Sequence, residues 1–432
     1  MDPLIVGLIS FIALMLLLFA GAHIGVSMGI VGFVGFGMLN GWQSSLGLLK
    51  TVPYRTFTDF DLCVIPLFVL MGNLAARSGL GASLYRTAYS WIGHFRGGLA
   101  MATVGACASF AAICGSAIAT AATFGTLTLP EMAKYKYHPQ LAGGCVAAGG
   151  TIGALIPPSV ILVVYGIVTE SSIGKLFLAG FIPGTIQAIV YMMTIHLMVR
   201  LKPDFGPRGP KTTLKEKFKS ISYSWDVGAL FILVIGGIYA GIFTPSEAAG
   251  VGATGAFISL IFRKQLNWKG LKEAVIDTTK TTGMIFWIVL GAIIFGYFLA
   301  IGQVPNSLAK WIGSLSPNRY VVLSIMLILL VFLGAIMDEM AIMLLTLPIL
   351  SPIILNLGFD PIWFGIIMTK MMEIGMIAPP VGINVFVIAG MSDIPMWTIY
   401  KGAIPFLIAD LIQVVLLVAF PQIILFLPNM MI

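Results

Sequence analysis

Seven residues able to offer oxygen ligands or close backbone approach stand within twenty residues of otherwise apolar sequence: Ser109, Gly115, Ser116, Thr120, Thr123, Thr126 and Thr128. Hydroxyls at this density, with carbonyls freed where a helix breaks, can coordinate a small hard cation such as sodium. Free amides at a helix start can instead hold a carboxylate. Any one of these threonines reads more simply as a back-bond to its own helix. The cluster beside a proline break reads as a site. In the second half the chemistry becomes ionic, with Asp338, Glu339 and Glu373 in apolar surroundings. Carboxylates are costly in a membrane and usually face a bundle interior or a cavity. Asp338 suits a cation ligand or a gating group at the midplane, or a solvated loop at the interface. Glu373, three residues from Lys370, suits a structural ion pair as well as a transport role. Asn384 can bind a ligand or brace a carbonyl.

The elements that position these residues occur twice. Thr128-Leu129-Pro130 precedes Pro157-Pro158, and Thr346-Leu347-Pro348 precedes Pro379-Pro380. The first pair of landmarks is offset by 218 residues and the second by 222, which reads as a four-residue insertion between them. Trp91-Ile92-Gly93 matches Trp311-Ile312-Gly313, and Ile182-Pro183 matches Ile404-Pro405. Two adjacent prolines remove two amide donors and bar the α region before them. Each pair must therefore break a helix inside an apolar region, which a membrane tolerates only beside protein or a wet cavity. Gly149, Gly150, Gly153, Gly375 and Gly382 flank the breaks and allow close backbone approach.

Composition sets the solvent. Hydrophobic residues make up 59% of the 432-residue chain and charged residues 9%, with a mean hydropathy of +1.02. Soluble domains carry roughly 25% charge. The apolar runs are too long for barrel strands, so an all-α polytopic membrane protein is expected. The run from Leu4 to Phe19 lacks a preceding basic residue and a following cleavage site, and reads as a retained helix. Four scattered cysteines suit buried packing, and no phosphate-binding or dinucleotide fingerprint is present. No catalytic constellation stands out, and a transporter is a better reading than an enzyme or a channel.

Seven basic residues between Arg200 and Lys219 face two acids, and Arg263 to Lys280 is again basic. Both loops are expected to be cytoplasmic, so the net charge of +7 reflects topology rather than nucleic-acid binding. The acidic start at Asp2 and the uncharged end after Pro421 suit an outside location for both termini. Residues 1–202 then form a first repeat, with a hairpin near 107–135 and a broken helix near 140–170. A basic linker covers 203–225. Residues 226–432 form a second repeat, with a hairpin near 330–357 and a broken helix near 362–392. Opposite starting sides make the repeats inverted, as in many secondary transporters.

These residues resemble the large membrane subunit of the TRAP (tripartite ATP-independent periplasmic) transporters along essentially the whole chain. The resemblance rests on P-L-F-V-L-M-G-N-L-A (66–75), G-T-L-T-L-P-E-M (125–132), G-T-I-G-A-L-I-P-P-S (150–159), G-A-I-M-D (334–338), T-L-P-I-L-S-P-I (346–353) and E-I-G-M-I-A-P-P-V-G-I-N (373–384). It implies an elevator-type, ion-transporter-like fold whose re-entrant hairpins move against a scaffold. It also implies coupling to sodium without ATP or another cofactor, and location in a bacterial or archaeal inner membrane. The implied partners are a small four-helix membrane subunit on a separate chain, a periplasmic solute-binding protein, and lipid. The implied substrate is an organic acid anion, with the dicarboxylate branch the nearest pattern. A related transporter acting without a binding protein is the alternative. Residue by residue, Ser116, Thr120, Thr123, Pro157, Pro158 and Asn384 are the expected substrate contacts. Gly115, Ser116, Thr151, Gly153, Asp338, Thr346, Glu373, Gly375 and Pro379 are the expected surroundings of the sodium ions.

Overall fold

The computed structural model describes residues 3–308 and 318–431; the landmark Trp311-Ile312-Gly313 and the terminal Asp2 lie outside them. The described chain is helical from end to end. It opens with α1 (Pro3–Phe19), α2 (Ile24–Asn40), α3 (Trp42–Thr58), α4 (Val64–Arg77) and α5 (Leu80–Ile92). The first hairpin is α6 (Gly98–Cys114) and α7 (Ala117–Lys134). The first broken helix is α8 (Pro139–Leu155) and α9 (Val160–Val168), followed by α10 (Ile173–Leu201). A short α11 (Leu214–Ile221) leads into α12 (Trp225–Tyr239), α13 (Pro245–Phe262) and the long α14 (Trp268–Ile301). The second hairpin is α15 (Arg319–Gly334) and α16 (Glu339–Asn356). Then come α17 (Pro361–Ile377), α18 (Ile383–Gly390), α19 (Met396–Ala419) and α20 (Gln422–Met430).

Among the described residues, six helical stretches are long and apolar enough to cross a membrane. Their outer faces carry large apolar side chains such as Trp287, Ile412 and Val415, each more than half exposed. Such faces are at home against hydrocarbon. At 34 residues, α14 measures about 50 Å and exceeds a bilayer core of about 30 Å. Its first turns, with Lys269, Lys272 and Lys280, therefore stand outside.

The hairpin arms begin at Gly98 and Arg319, ahead of the sequence windows at 107 and 330. One reading needs correction. Ala117–Lys134 and Glu339–Asn356 are both 18 residues long and start 222 residues apart, the same offset as the proline pairs. No insertion separates the landmarks. Pro130 corresponds to Pro352, and Thr346-Leu347-Pro348 lies one turn earlier in its helix than Thr128-Leu129-Pro130. A slip of four residues is about one helical turn and returns to the same face, so the motif matched itself out of register.

Helix α8 is the hub: every residue from Leu141 to Leu155 is buried, and it packs on α6, α7, α10, α17, α18 and α19. Contact with α19 is so close that a Cβ on Gly402 would sit on the Gln140 carbonyl. A second layer of α2, α4, α13 and α14 leans on this core through α4 and the middle of α14. Two capping boxes start the helices that follow polar turns, Thr213 with Glu216 and Thr244 with Glu247. The Thr213 amide and hydroxyl bonds hold the Glu216 carboxyl below its usual range.

Candidate functional site

At the first break, α6 stops at Cys114 and Gly115 turns with φ +62°. Ser116 is extended and caps α7 by accepting from the Ala119 amide at 3.3 Å. Opposite, α8 runs out at Pro157-Pro158, a cis pair, and Ser159 caps α9. The two turns are pressed together. A Cβ on Gly115 would lie 2.3 Å from the Pro158 carbonyl oxygen, and one on Gly153 would lie 2.7 Å from that of Ser116. The Val160 amide donates to the Gly115 carbonyl at 3.4 Å, and the Thr120 hydroxyl to the Ser116 carbonyl at 2.8 Å. Backbone and hydroxyl oxygens thus converge on a junction where a side chain at either glycine would have no room.

The second break has the same plan with a charge added. Asp338 stands 222 residues after Ser116 and plays its part, capping α16 by accepting from the Met340 and Ala341 amides. The Ala335 carbonyl accepts from the Val381 and Gly382 amides at 3.1 and 3.2 Å, tying the hairpin tip to the broken helix. Gly375 meets Gly334 so closely that a Cβ would fall 2.4 Å from the Gly334 backbone. Pro379-Pro380 is also cis, yet exposed where Pro157-Pro158 is buried.

The two tips share one cavity of about 320 Å³. Cys114, Gly115 and Ser116 line it from the first hairpin, and Asp338, Glu339 and Met340 from the second. The outer layer contributes Asn73 of α4 and Thr281, Met284 and Ile285 of α14. Asn73 donates to the Thr278 hydroxyl at 2.9 Å, which joins those two helices beside the cavity. One turn along α4, Arg77 pairs with Glu273 and Asp277, both at 2.7 Å. Gly72 brings α4 against the first tip: a Cβ there would lie 2.7 Å from the Cys114 carbonyl oxygen. Glu339 is buried, and its Oε2 has no protein partner among the described residues.

Other expected residues sit elsewhere. Thr123 turns its methyl toward Gly81 of α5. Thr126, Thr128 and Thr346 donate to carbonyls four residues back in their own helices. Asn384 braces α8 by donating to the Ala147 carbonyl at 3.1 Å. Thr151 and Glu373, equivalent at an offset of 222, do not line the cavity but belong to a fully buried network. Lys370 there bonds Asp410 at 2.7 Å and Glu373 at 3.2 Å. Gln187 donates toward Glu373 at 3.0 Å, and Tyr191 to Asp410 at 2.7 Å. Thr151 lies 3.2 Å from the Gln187 amide. Sequence reasoning missed Gln187 and Asp410, although each is a polar group in an apolar helix.

Comparison with known proteins supplies the context. Residues 11–423 match the model of the DctM component of the tripartite ATP-independent periplasmic transporters. The C4-dicarboxylate TRAP transporter large permease protein DctM of Pseudomonas aeruginosa is 37% identical over 378 residues, covering 87% of this chain and 88% of that protein. The sialic acid TRAP transporter large permease protein SiaM of Vibrio cholerae is 34% identical, with 96% of each chain covered. Among solved structures, the Alcanivorax borkumensis YdaH transporter superposes with a TM-score of 0.62 at 15% identity, over 88% of this chain and 90% of that one. That likeness is one of fold.

Proposed function

This chain belongs to the DctM family of tripartite ATP-independent periplasmic transporters, and we propose that it imports an organic acid anion by sodium-coupled alternating access. As a large permease it is a multi-pass transport protein, not an enzyme. The observation that carries the reading is the single cavity on which both hairpin tips converge. The hairpins and broken helices would move as one body in an elevator-like step, with α2, α4, α13 and α14 as the fixed wall. The first sodium ion would sit among the Gly115 and Ser116 carbonyls and Thr120, and the second beside Asp338 and the Gly334–Gly375 contact. The anion would occupy the space between Ser116 and Asn73. A carboxylate is the expected anchoring group, since relatives are named for C4-dicarboxylate and sialic acid transport. The reading includes a small membrane subunit, a periplasmic binding protein, an inner-membrane location and periplasmic termini.

The test is uptake into proteoliposomes holding this chain and its small partner, with labelled dicarboxylates and sugar acids. Accumulation that needs both an inward sodium gradient and the binding protein is expected. Sodium-driven uptake without the binding protein would replace the tripartite reading with a lone transporter. Absence of sodium dependence with any active substrate would refute the coupling.

A further inference from the structure

We propose that α11 and the adjoining end of α5 form a docking surface for the headgroups of anionic phospholipids. Leu214, Phe218 and Ile221 recur at the i, i+4, i+7 spacing of one helix face, and all three are exposed, Leu214 by 71%. Trp225, at the start of α12, is 65% exposed just beyond them. Eight residues span about 12 Å, far too short to cross a bilayer. The helix also bends 49° away from α12, which is apolar enough to enter the membrane with it. An apolar face at the foot of a membrane helix, angled away from it, lies naturally along the interface.

Charge identifies the occupant. Lys211, Lys215 and Lys219 are exposed beside this face. The single acid, Glu216, is used in the capping box, where it accepts from the Thr213 amide at 2.8 Å. The segment is held firmly. Trp91 donates to the Lys217 carbonyl at 3.2 Å, Thr87 to that of Ser220 at 2.8 Å, and Phe218 packs edge-on against Trp91. Arg263, from the end of α13, bonds the Tyr223 carbonyl at 2.6 Å and Asp226 at 2.7 Å. This brings the other basic loop, with the exposed Trp268, to the same rim. A rigid rim of aromatic residues with free lysines matches a negative leaflet. A soluble acidic protein would not need apolar residues that run directly into a membrane helix.

The experiment uses the full chain in nanodiscs of phosphatidylcholine with graded brominated phosphatidylglycerol or brominated phosphatidylcholine. Tryptophan quenching is read, with W225F isolating the Trp225 signal. Quenching at Trp225 is expected to need about tenfold less brominated phosphatidylglycerol, a conservative figure for several lysines near an anionic surface. K211Q/K215Q/K219Q should abolish that preference and the corresponding Lys→Arg triple should keep it. These side chains are exposed, so an unchanged thermal midpoint is expected in both. Equal quenching by the two lipids, or a preference untouched by the Gln triple, overturns the proposal. So does protection of Trp225 by a co-purifying soluble protein. None of these readouts depends on substrate or sodium.

Discussion

Replacing Gly153 with alanine should weaken sodium coupling without unfolding the protein. The added Cβ would lie 2.7 Å from the Ser116 carbonyl oxygen and 2.9 Å from the Thr120 hydroxyl oxygen. Ordinary contact begins at 3.4 Å, so the two elements must part by about 0.5–0.7 Å. Overpacking of this kind costs about 1–3 kcal/mol. The strain falls where the hairpin tip meets the broken helix, and where the carbonyls proposed as sodium ligands converge. If about 1.4 kcal/mol of it is relieved by opening the junction, sodium affinity drops about tenfold. The assay is initial uptake rate against external sodium in proteoliposomes. Gly153→Ala should raise half-saturation about tenfold or more while the protein still purifies and inserts. Gly105→Ala is the control, because its Cβ would meet only the Ala88 methyl at 4.0 Å. An unchanged sodium half-saturation in Gly153→Ala, with an unchanged maximal rate, would refute the assignment of this junction to an ion.

Two further substitutions separate structure from transport. Lys370→Met leaves Asp410 and Glu373 buried without their cation, and breaking a buried pair costs about 3–5 kcal/mol. The thermal midpoint in detergent should fall clearly, and Lys370→Met/Asp410→Asn should recover part of the loss; a single variant as stable as wild type would contradict the network. Asp338→Asn keeps a cap acceptor for α16 but removes the charge, whereas Asp338→Ala loses both. Both should raise the sodium requirement, and only Ala should also cost about 1 kcal/mol of stability. Equal sodium dependence in wild type and Asn would reduce Asp338 to a cap.

The breaks were legible because their cause is local. Pro157-Pro158 and Pro379-Pro380 stop a helix whatever surrounds them, and Gly115 and Asp338 carry the turn and cap chemistry that starts the next one. Register inside the hairpins was less legible, since a helical face repeats nearly every four residues and Thr346 could stand in for its true counterpart one turn away. Hydroxyl density does not by itself say which threonines lie at the break. Thr126, Thr128 and Thr346 satisfy their hydroxyls on their own helices, and nothing in a short stretch separates such a threonine from Thr120, whose partner carbonyl happens to lie at the break.

Of the cluster around Lys370 only the Lys370–Glu373 pair was legible: the other members come from α8, α10 and α19, and only the fold brings them together. Its placement bears on how an elevator could work. Thr151, Gln187 and Tyr191 belong to the first repeat; Lys370, Glu373 and Asp410 to the second. Two hairpins proposed to meet substrate at one cavity would have to keep their relative positions while the body holding them moves. Apolar packing between membrane helices is weakly directional, and lipid competes for the same faces. A buried charge has no comparable alternative, because separating Lys370 from Asp410 would leave both unpaired in a medium that cannot solvate them. The network therefore fixes α17 and α19 to α10 and α8 at the point where the repeats join. A loose joint there would let one ion junction open while the other stayed shut. By this reasoning, disrupting the cluster should uncouple sodium from substrate before it abolishes substrate binding.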